Sequence, residues 1–352
     1  TGTAPWRDSA SGADTLVAIG SNRLITVWDG TSWNEQTISG SWSPQRLVFA
    51  DGQYVAIGNS NQLAISSDAI TWNSQAKPSG QHIGLAFGNS KWVAVEDSGT
   101  GAMYSTDGAL NWASTTLPTS ASWVGLAHGG GKFVAIASDT NTVAVADDVN
   151  LTWTTATIPG FQDSSQPLWS DITYGNGRFV AVSSDREAVA YSFNGTNWYV
   201  TEMPFDANFA RIKYAQGMFI AFSAEGGADG RIAFSDGGFY WTALSVGSTE
   251  EQTTGSFYDD GKWYVFGDGS TQNITTIQTG VRTRGRVVIL GSQLNNFKIW
   301  EPGSGYGTTA PTLTFTDPNI TELPVFDLRM GNGVLANPSF TNRGTGYKSS
   351  TT

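Results

Sequence analysis

One pattern recurs along this chain and restricts its fold more than any other property. An aromatic residue, a short Gly/Asn/Asp turn and a second aromatic residue lead into Val-Ala-Ile or a close variant. It reads Phe49-Ala-Asp-Gly-Gln-Tyr54-Val-Ala56-Ile, then Phe87-Gly-Asn-Ser-Lys-Trp92-Val-Ala94-Val, then His128-Gly-Gly-Gly-Lys-Phe133-Val-Ala135-Ile. Tyr174-Gly-Asn-Gly-Arg-Phe179-Val-Ala181-Val, Tyr214-Ala-Gln-Gly-Met-Phe219-Ile-Ala221-Phe and Tyr258-Asp-Asp-Gly-Lys-Trp263-Tyr-Val265-Phe continue it. A degenerate first copy sets Trp6-Arg-Asp ahead of Leu16-Val-Ala18-Ile. The central positions, from Ala18 to Val265, lie 38 to 46 residues apart and make seven copies.

A second mark follows the first six copies: Trp33, Trp72, Trp112, Trp153, Trp198 and Trp241 each close a turn rich in Asp, Asn and Gly. Such residues bend the chain through side-chain–backbone bonds and positive φ, and the indole then buries its ring against a sheet. Each unit reads as four short strands, in the fifth copy 169–174, 178–182, 188–192 and 197–202. Four strands per period of about 40 residues is the signature of a β-propeller. The fold class is therefore all-β, a propeller over 1–276 of seven four-stranded blades, with six as the alternative.

Composition narrows the function. Only 14% of the residues are charged and 42 are Gly, which disfavours a mainly helical chain. The net charge of −11 argues against a nucleic-acid partner, which needs a basic stripe. No stretch is apolar enough for a membrane-spanning helix, so no membrane insertion is expected. The absence of Cys removes thiol nucleophiles and Cys-based metal sites, and His82 and His128 are too few for a His-rich one. No cofactor is implied.

Residues 277–352 follow another pattern. Lys298-Ile-Trp300-Glu-Pro-Gly303-Ser-Gly305-Tyr306 precedes Ala310-Pro-Thr-Leu-Thr, and Gly344-Thr-Gly346-Tyr347 begins a second copy. That copy stops at Thr352, ahead of its expected Ala-Pro-Thr strand, so a small β unit leading into further repeats is expected.

Two resemblances attach to these residues. Ser105-Thr-Asp107-Gly-Ala-Leu-Asn-Trp112, with shorter versions at Ser66-Ser-Asp68 and Ser235-Asp236, resembles the Asp-box of BNR/sialidase-type propellers. That motif is structural and implies fold, not chemistry. The tail resembles the Gly-Ser-Gly-Tyr…Ala-Pro-Thr repeats of virion structural proteins in tailed phages, especially those infecting cyanobacteria. It implies a non-enzymatic propeller module of a virion (tail, baseplate, fibre or decoration) serving assembly and host-surface contact. The partners so implied are other virion proteins, a host-surface glycan and further copies of the chain in the particle.

No catalytic set is expected. Arg7, Arg23, Arg46, Arg178, Arg186, Arg211 and Arg231 of 1–276 lack the Arg-Ile-Pro context of sialidases, and Arg178 shares a turn slot with Lys91, Lys132 and Lys262. Asp147-Asp148, Asp259-Asp260 and Glu250-Glu251 are adjacent, whereas acid/base work needs carboxyls held across a cleft. No Asp-x-Asp-x-Asp-Gly calcium loop occurs. His128 takes the slot of Phe49, Phe87, Tyr174, Tyr214 and Tyr258, a structural position. The ligand-binding candidates are Trp6, His82, Trp123, Trp169 and Phe209, which begin the innermost strands. They either ring a funnel and stack on sugar faces, or wedge between blades. A glycan-binding module and an Asp-box glycoside hydrolase are the alternative functions.

Overall fold

In the computed structural model, residues 6–12, 15–28, 32–160, 166–215, 217–223 and 231–245 are described. From residue 244 onward only strand backbone is described, at 253–259, 262–267, 274–278, 284–290, 293–301, 325–327, 330–331, 334–335 and 339–342. The chain divides into two units, 1–259 with 263–277, and 260–262 with 278–352.

The first unit is a β-propeller. Six antiparallel sheets of four strands follow one another, each made from one contiguous segment in simple up-and-down order. The fifth contains Trp169–Gly175, Arg178–Ser183, Ala188–Ser192 and Trp198–Glu202, close to the strands read from the sequence. The innermost strands of the six are Trp6–Ser11, Ser43–Ala50, His82–Gly88, Trp123–Gly129, Trp169–Gly175 and Phe209–Ala215. Seven four-stranded blades were the first expectation, and this is corrected to six. The seventh repeat yields a three-stranded sheet, Thr253–Asp259, Lys262–Gly267 and Ile274–Gln278. Its innermost strand lies between those of the sixth and first blades. That copy lacks the Trp-closed turn from which the other blades launch a fourth strand.

The repeat has a physical basis. The two aromatics that flank each inner turn are cross-strand partners: Phe49 with Tyr54, Phe87 with Trp92, His128 with Phe133, Tyr174 with Phe179, Tyr214 with Phe219. Their ring centroids lie 4.6 to 5.0 Å apart, the range of attractive aromatic pairs. The Val-Ala-Val alternation gives each second strand a bulky face and a small face. Val134, Ile136, Val143 and Val145 of the fourth blade pack on Ala181, Ala188 and Ala190 of the fifth. Val93 and Val95 of the third pack on Ala135 and Ala144 of the fourth, and Val180, Val182 and Val189 of the fifth on Ala221 and Ala233 of the sixth. A bulky face set on an alanine face lets neighbouring sheets approach closely, which explains why Ala56, Ala94, Ala135, Ala181 and Ala221 recur.

The Trp-closed turns hold themselves. In the third blade Asp107 Oδ1 accepts from Ser105 Oγ (2.8 Å) and the Asn111 amide (2.9 Å), and Trp112 Nε1 donates to Ala109 O (2.9 Å). In the second, Asp68 Oδ1 accepts from the Ile70 and Thr71 amides, and Trp72 Nε1 donates to Ala69 O. Those amide bonds hold the Asp68 and Asp107 carboxyls down to about 2.

In the second unit Arg284–Leu290 pairs with Gln293–Glu301, Val325–Asp327 with Ser339–Asn342, and Met330–Gly331 with Val334–Leu335. Gly303-Ser-Gly-Tyr306, Ala310-Pro-Thr and Gly344-Thr-Gly-Tyr347 lie outside the described residues, as do Glu250-Glu251.

Candidate functional site

The innermost strands share an irregularity that builds the centre of the ring. Against its neighbour each skips one residue near its start, between Trp6 and Asp8, Pro44 and Arg46, His82 and Gly84, Trp123 and Gly125, Trp169 and Asp171, Phe209 and Arg211. A bulge re-aims the residue that follows it and releases the skipped residue from the ladder. The re-aimed slot reads Asp8, Arg46, Gly84, Gly125, Asp171, Arg211 around the ring. Asp8, Arg46 and Asp171 line the floor of a cavity of about 230 Å³, beneath walls that include Leu85, Leu126, Ile172 and Lys213.

Arg46 crosses this cavity. Its Nε donates to Ile83 O (2.7 Å) of the third blade, and its Nη2 to Val124 O (3.0 Å) of the fourth and Asp171 Oδ1 (2.9 Å) of the fifth. Ile83 and Val124 are skipped bulge residues, so their carbonyls are free to accept. Glycine at 84 and 125 lets neighbouring strands approach closely beside it. A Cβ on Gly84 would come within 2.6 Å of Val95 Cγ2, and one on Gly125 within 3.0 Å of Ile172 Cγ2.

The two carboxylates tie the first blade to the second and the fifth to the sixth. Asp8 Oδ2 accepts from the Leu47 amide (3.0 Å) of the second blade, and Asp171 Oδ2 from the Ile212 amide (3.1 Å) of the sixth. Asp8 Oδ1 takes the Ser9 amide (2.8 Å) and Lys213 Nζ (2.9 Å). Burial pushes the Asp8 carboxyl up, but Lys213, Arg46 and Arg211 outweigh it and leave it below its ordinary value. Burial likewise pulls Arg46 down, and Asp171 and Asp8 outweigh that and raise it. For Arg211 the balance falls the other way: burial, reinforced by Arg46, lowers it to about 10. The Arg211 Nε is sealed from solvent without a hydrogen-bond partner. Bound by cations and backbone amides, these carboxylates act as clasps between blades.

The ligand-binding candidates lie elsewhere. Trp6 is 5% exposed, His82 1%, and Trp123, Trp169 and Phe209 are fully buried. Trp123 and Trp169 sit in the clusters that join the third blade to the fourth and the fourth to the fifth. Each indole reaches back one blade: Trp123 Nε1 donates to Gly99 O (2.9 Å) and Trp169 Nε1 to Asn141 Oδ1 (3.1 Å). His82 Nδ1 meets Lys77 Nζ at 2.8 Å, and burial beside that cation pulls the His82 imidazole down to about 4. As placed, these five side chains wedge between blades and present no ring face to a sugar. The bulge places their slot inside the sheet packing and the slot two residues later on the cavity.

Other sequence candidates also serve the ring. Asp147 Oδ1 accepts from the Val149 and Asn150 amides of its own turn, while Asp148 Oδ2 pairs with His128 Nε2 at 3.0 Å. The side chains of Asp259 and Asp260 lie outside the described residues. The basic turn slot spans to the next blade: Lys91 Nζ donates to Asp148 O (2.8 Å) and Arg178 Nη1 to Gly237 O (2.7 Å). Among the described residues no three His, Asp or Glu side chains converge as a metal site needs. The Asp8–Arg46–Asp171–Arg211 set escaped the sequence reading, although one signal marks it: every member stands three residues before the first aromatic slot of its repeat.

No protein-family model matches the sequence, and no curated protein does. Solved structures match the fold. YCF48 bound to D1 peptide is 14% identical with a TM-score of 0.60, covering 76% of this chain and 92% of that one. Virginiamycin B lyase from Staphylococcus aureus is 13% identical with a TM-score of 0.67, covering 78% and 95%. The Pan2 WD40 domain of Neurospora crassa is 11% identical with a TM-score of 0.59, covering 77% and 91%. Similarity at this level establishes a β-propeller and nothing finer.

Proposed function

We propose that this chain is a non-enzymatic propeller module of a tailed-phage virion, serving assembly and host-surface contact alongside other virion proteins. The observation that carries its non-enzymatic character is the cavity floor, where Asp8 and Asp171 bind amides of neighbouring blades and Arg46 is fixed by two carbonyls and a carboxylate. General acid/base catalysis needs groups poised near the working pH and within reach of substrate, and these groups are held to the frame. The fold does not decide the matter, since a lyase and a peptide-bound protein share it. The virion assignment rests on the resemblance of the Gly-x-Gly-Tyr repeats in 277–352.

Mass spectrometry of purified virus particles tests the assignment. Peptides from 1–276 and 277–352 in particle protein are the expected result, and their absence from particles overturns it. The hydrolase alternative returns only if the purified chain cleaves a glycoside and Asp171→Asn abolishes that turnover. A glycan-binding reading is favoured by the exposed rings of Phe193, Tyr199 and Tyr240.

A further inference from the structure

Conformity to the repeat explains most side chains of the six blades, so surface positions that break it stand apart. Tyr240 is 80% exposed, Phe193 57% and Tyr199 52%. The slot of Tyr240 holds Thr71, Asn111, Thr152 and Asn197 in other blades, and that of Tyr199 holds Asn73, Ala113, Thr154 and Thr242. Phe193 replaces Ser67 and Thr106. Polar or small residues suffice at these slots for the fold.

The three exposed rings gather at one place, the junction of the fifth and sixth blades. Tyr199 stacks on Tyr191 (centroids 5.3 Å, planes at 22°), Tyr191 meets Phe193 edge-on at 6.0 Å and Phe239 at 5.7 Å, and Phe239 meets Tyr240 at 4.9 Å. The Arg178 guanidinium lies 5.0 Å from the Phe193 centroid and 5.1 Å from that of Phe239. Its Nε donates to Asn176 O and its Nη1 to Gly237 O, and Nη2 has no hydrogen-bond partner among the described residues. No carboxylate among the described residues pairs with it. Among the described residues, a chain of net charge −11 thus keeps a cation with no carboxylate partner at the junction where these aromatic faces are exposed.

We propose that this junction binds an acidic carbohydrate, its C–H face stacked on the exposed rings and its carboxylate on Arg178. Exposed aromatic surface gains free energy only when something covers it, and a guanidinium with free donors matches a planar carboxylate. A neutral sugar leaves the Arg178 charge unused, and a purely apolar partner leaves it desolvated and unpaired. The inference deepens the surface-contact part of the proposed function. Absence of the chain from particles would remove the virion while leaving this site intact.

The test is titration of the purified full chain with oligogalacturonate and with neutral galacto-oligosaccharides of equal length, followed by calorimetry or ligand-observed NMR. The acidic oligomer is expected to bind about tenfold more tightly than the neutral one. Tyr240→Ala combined with Phe193→Ala weakens it about tenfold or more. Arg178→Gln brings the acidic oligomer down to the neutral affinity, while Arg178→Lys keeps part of the preference. These side chains are exposed or at the rim, so unchanged thermal melting confirms that binding and not folding was altered. Equal affinity for the two oligomers, no binding of either, undiminished binding by the Tyr240→Ala/Phe193→Ala variant, or capture of a proline-rich peptide there in place of sugar each overturns the proposal.

Discussion

At the start of the innermost strands Trp6, His82, Trp123, Trp169 and Phe209 keep an aromatic or imidazole ring in five of the six blades, with Pro44 in the second. Two residues further along, Asp8, Arg46, Gly84, Gly125, Asp171 and Arg211 switch among acid, base and no side chain at all. The first slot lies between blades, where most junctions pose a similar packing problem and receive a ring as wedge. The second faces a centre shared by the whole ring. One arginine there serves three blades, so the other positions must make room or supply the countercharge. Uniformity marks neighbour-to-neighbour work, and variation marks cooperation across the ring.

Substitutions can break this contrast. Trp123→Ala removes a fully buried wedge and leaves Gly99 O without its donor, and should cost about 5 kcal/mol in chemical denaturation. Arg46→Met should cost about 3 kcal/mol, because it strands the Asp171 carboxylate and two carbonyls in the cavity floor. Adding Asp171→Asn should restore part of that loss, since the orphaned charge is its main source. A larger loss from Arg46→Met than from Trp123→Ala would reverse the ranking of the two slots.

A pH effect sharpens the comparison within the wedge slot, whose one titratable member is His82. The unfolded chain protonates there near 6.5 and the folded chain only near 4, so acidification through that window favours unfolding. Stability should fall from pH 6.5 toward 4 by up to about 1.4 kcal/mol per pH unit. His82→Phe, which gives the slot the side chain found at Phe209, should flatten that part of the profile in urea midpoints measured from pH 7 to 4. An unchanged slope would place the titration elsewhere.

Most of the fold is legible in the sequence because a propeller repeats its local rules. The aromatic pairs, the alanine faces and the Trp-closed turns each recur at the blade spacing, and the strands of the fifth blade follow from them almost residue for residue. The cavity floor was illegible for the same reason. A search for likeness treats Asp8, Arg46 and Arg211 as irregularities, and the Arg46–Asp171 bond joins residues 125 positions apart. Arg178 opens a strand directly after its turn, and its reach to Gly237 depends on how adjacent blades sit side by side. The seventh copy misled the blade count because its inner hairpin is intact and only its closing Trp is missing.

The bond between Lys213 and Asp8 has a consequence for how the chain is made. Each four-stranded sheet is a single contiguous segment, and none borrows a strand from the opposite end. Sheets can therefore assemble one after another as the polypeptide leaves the ribosome, each docking on the one before. The Lys213–Asp8 contact joins residues 205 positions apart and cannot form until the sixth segment has emerged. Loop closure over that distance carries an entropic cost on the order of 5 kcal/mol, offset only when the late segments meet the first. The stack therefore remains open across the Lys213–Asp8 contact until the sixth segment has returned to the first.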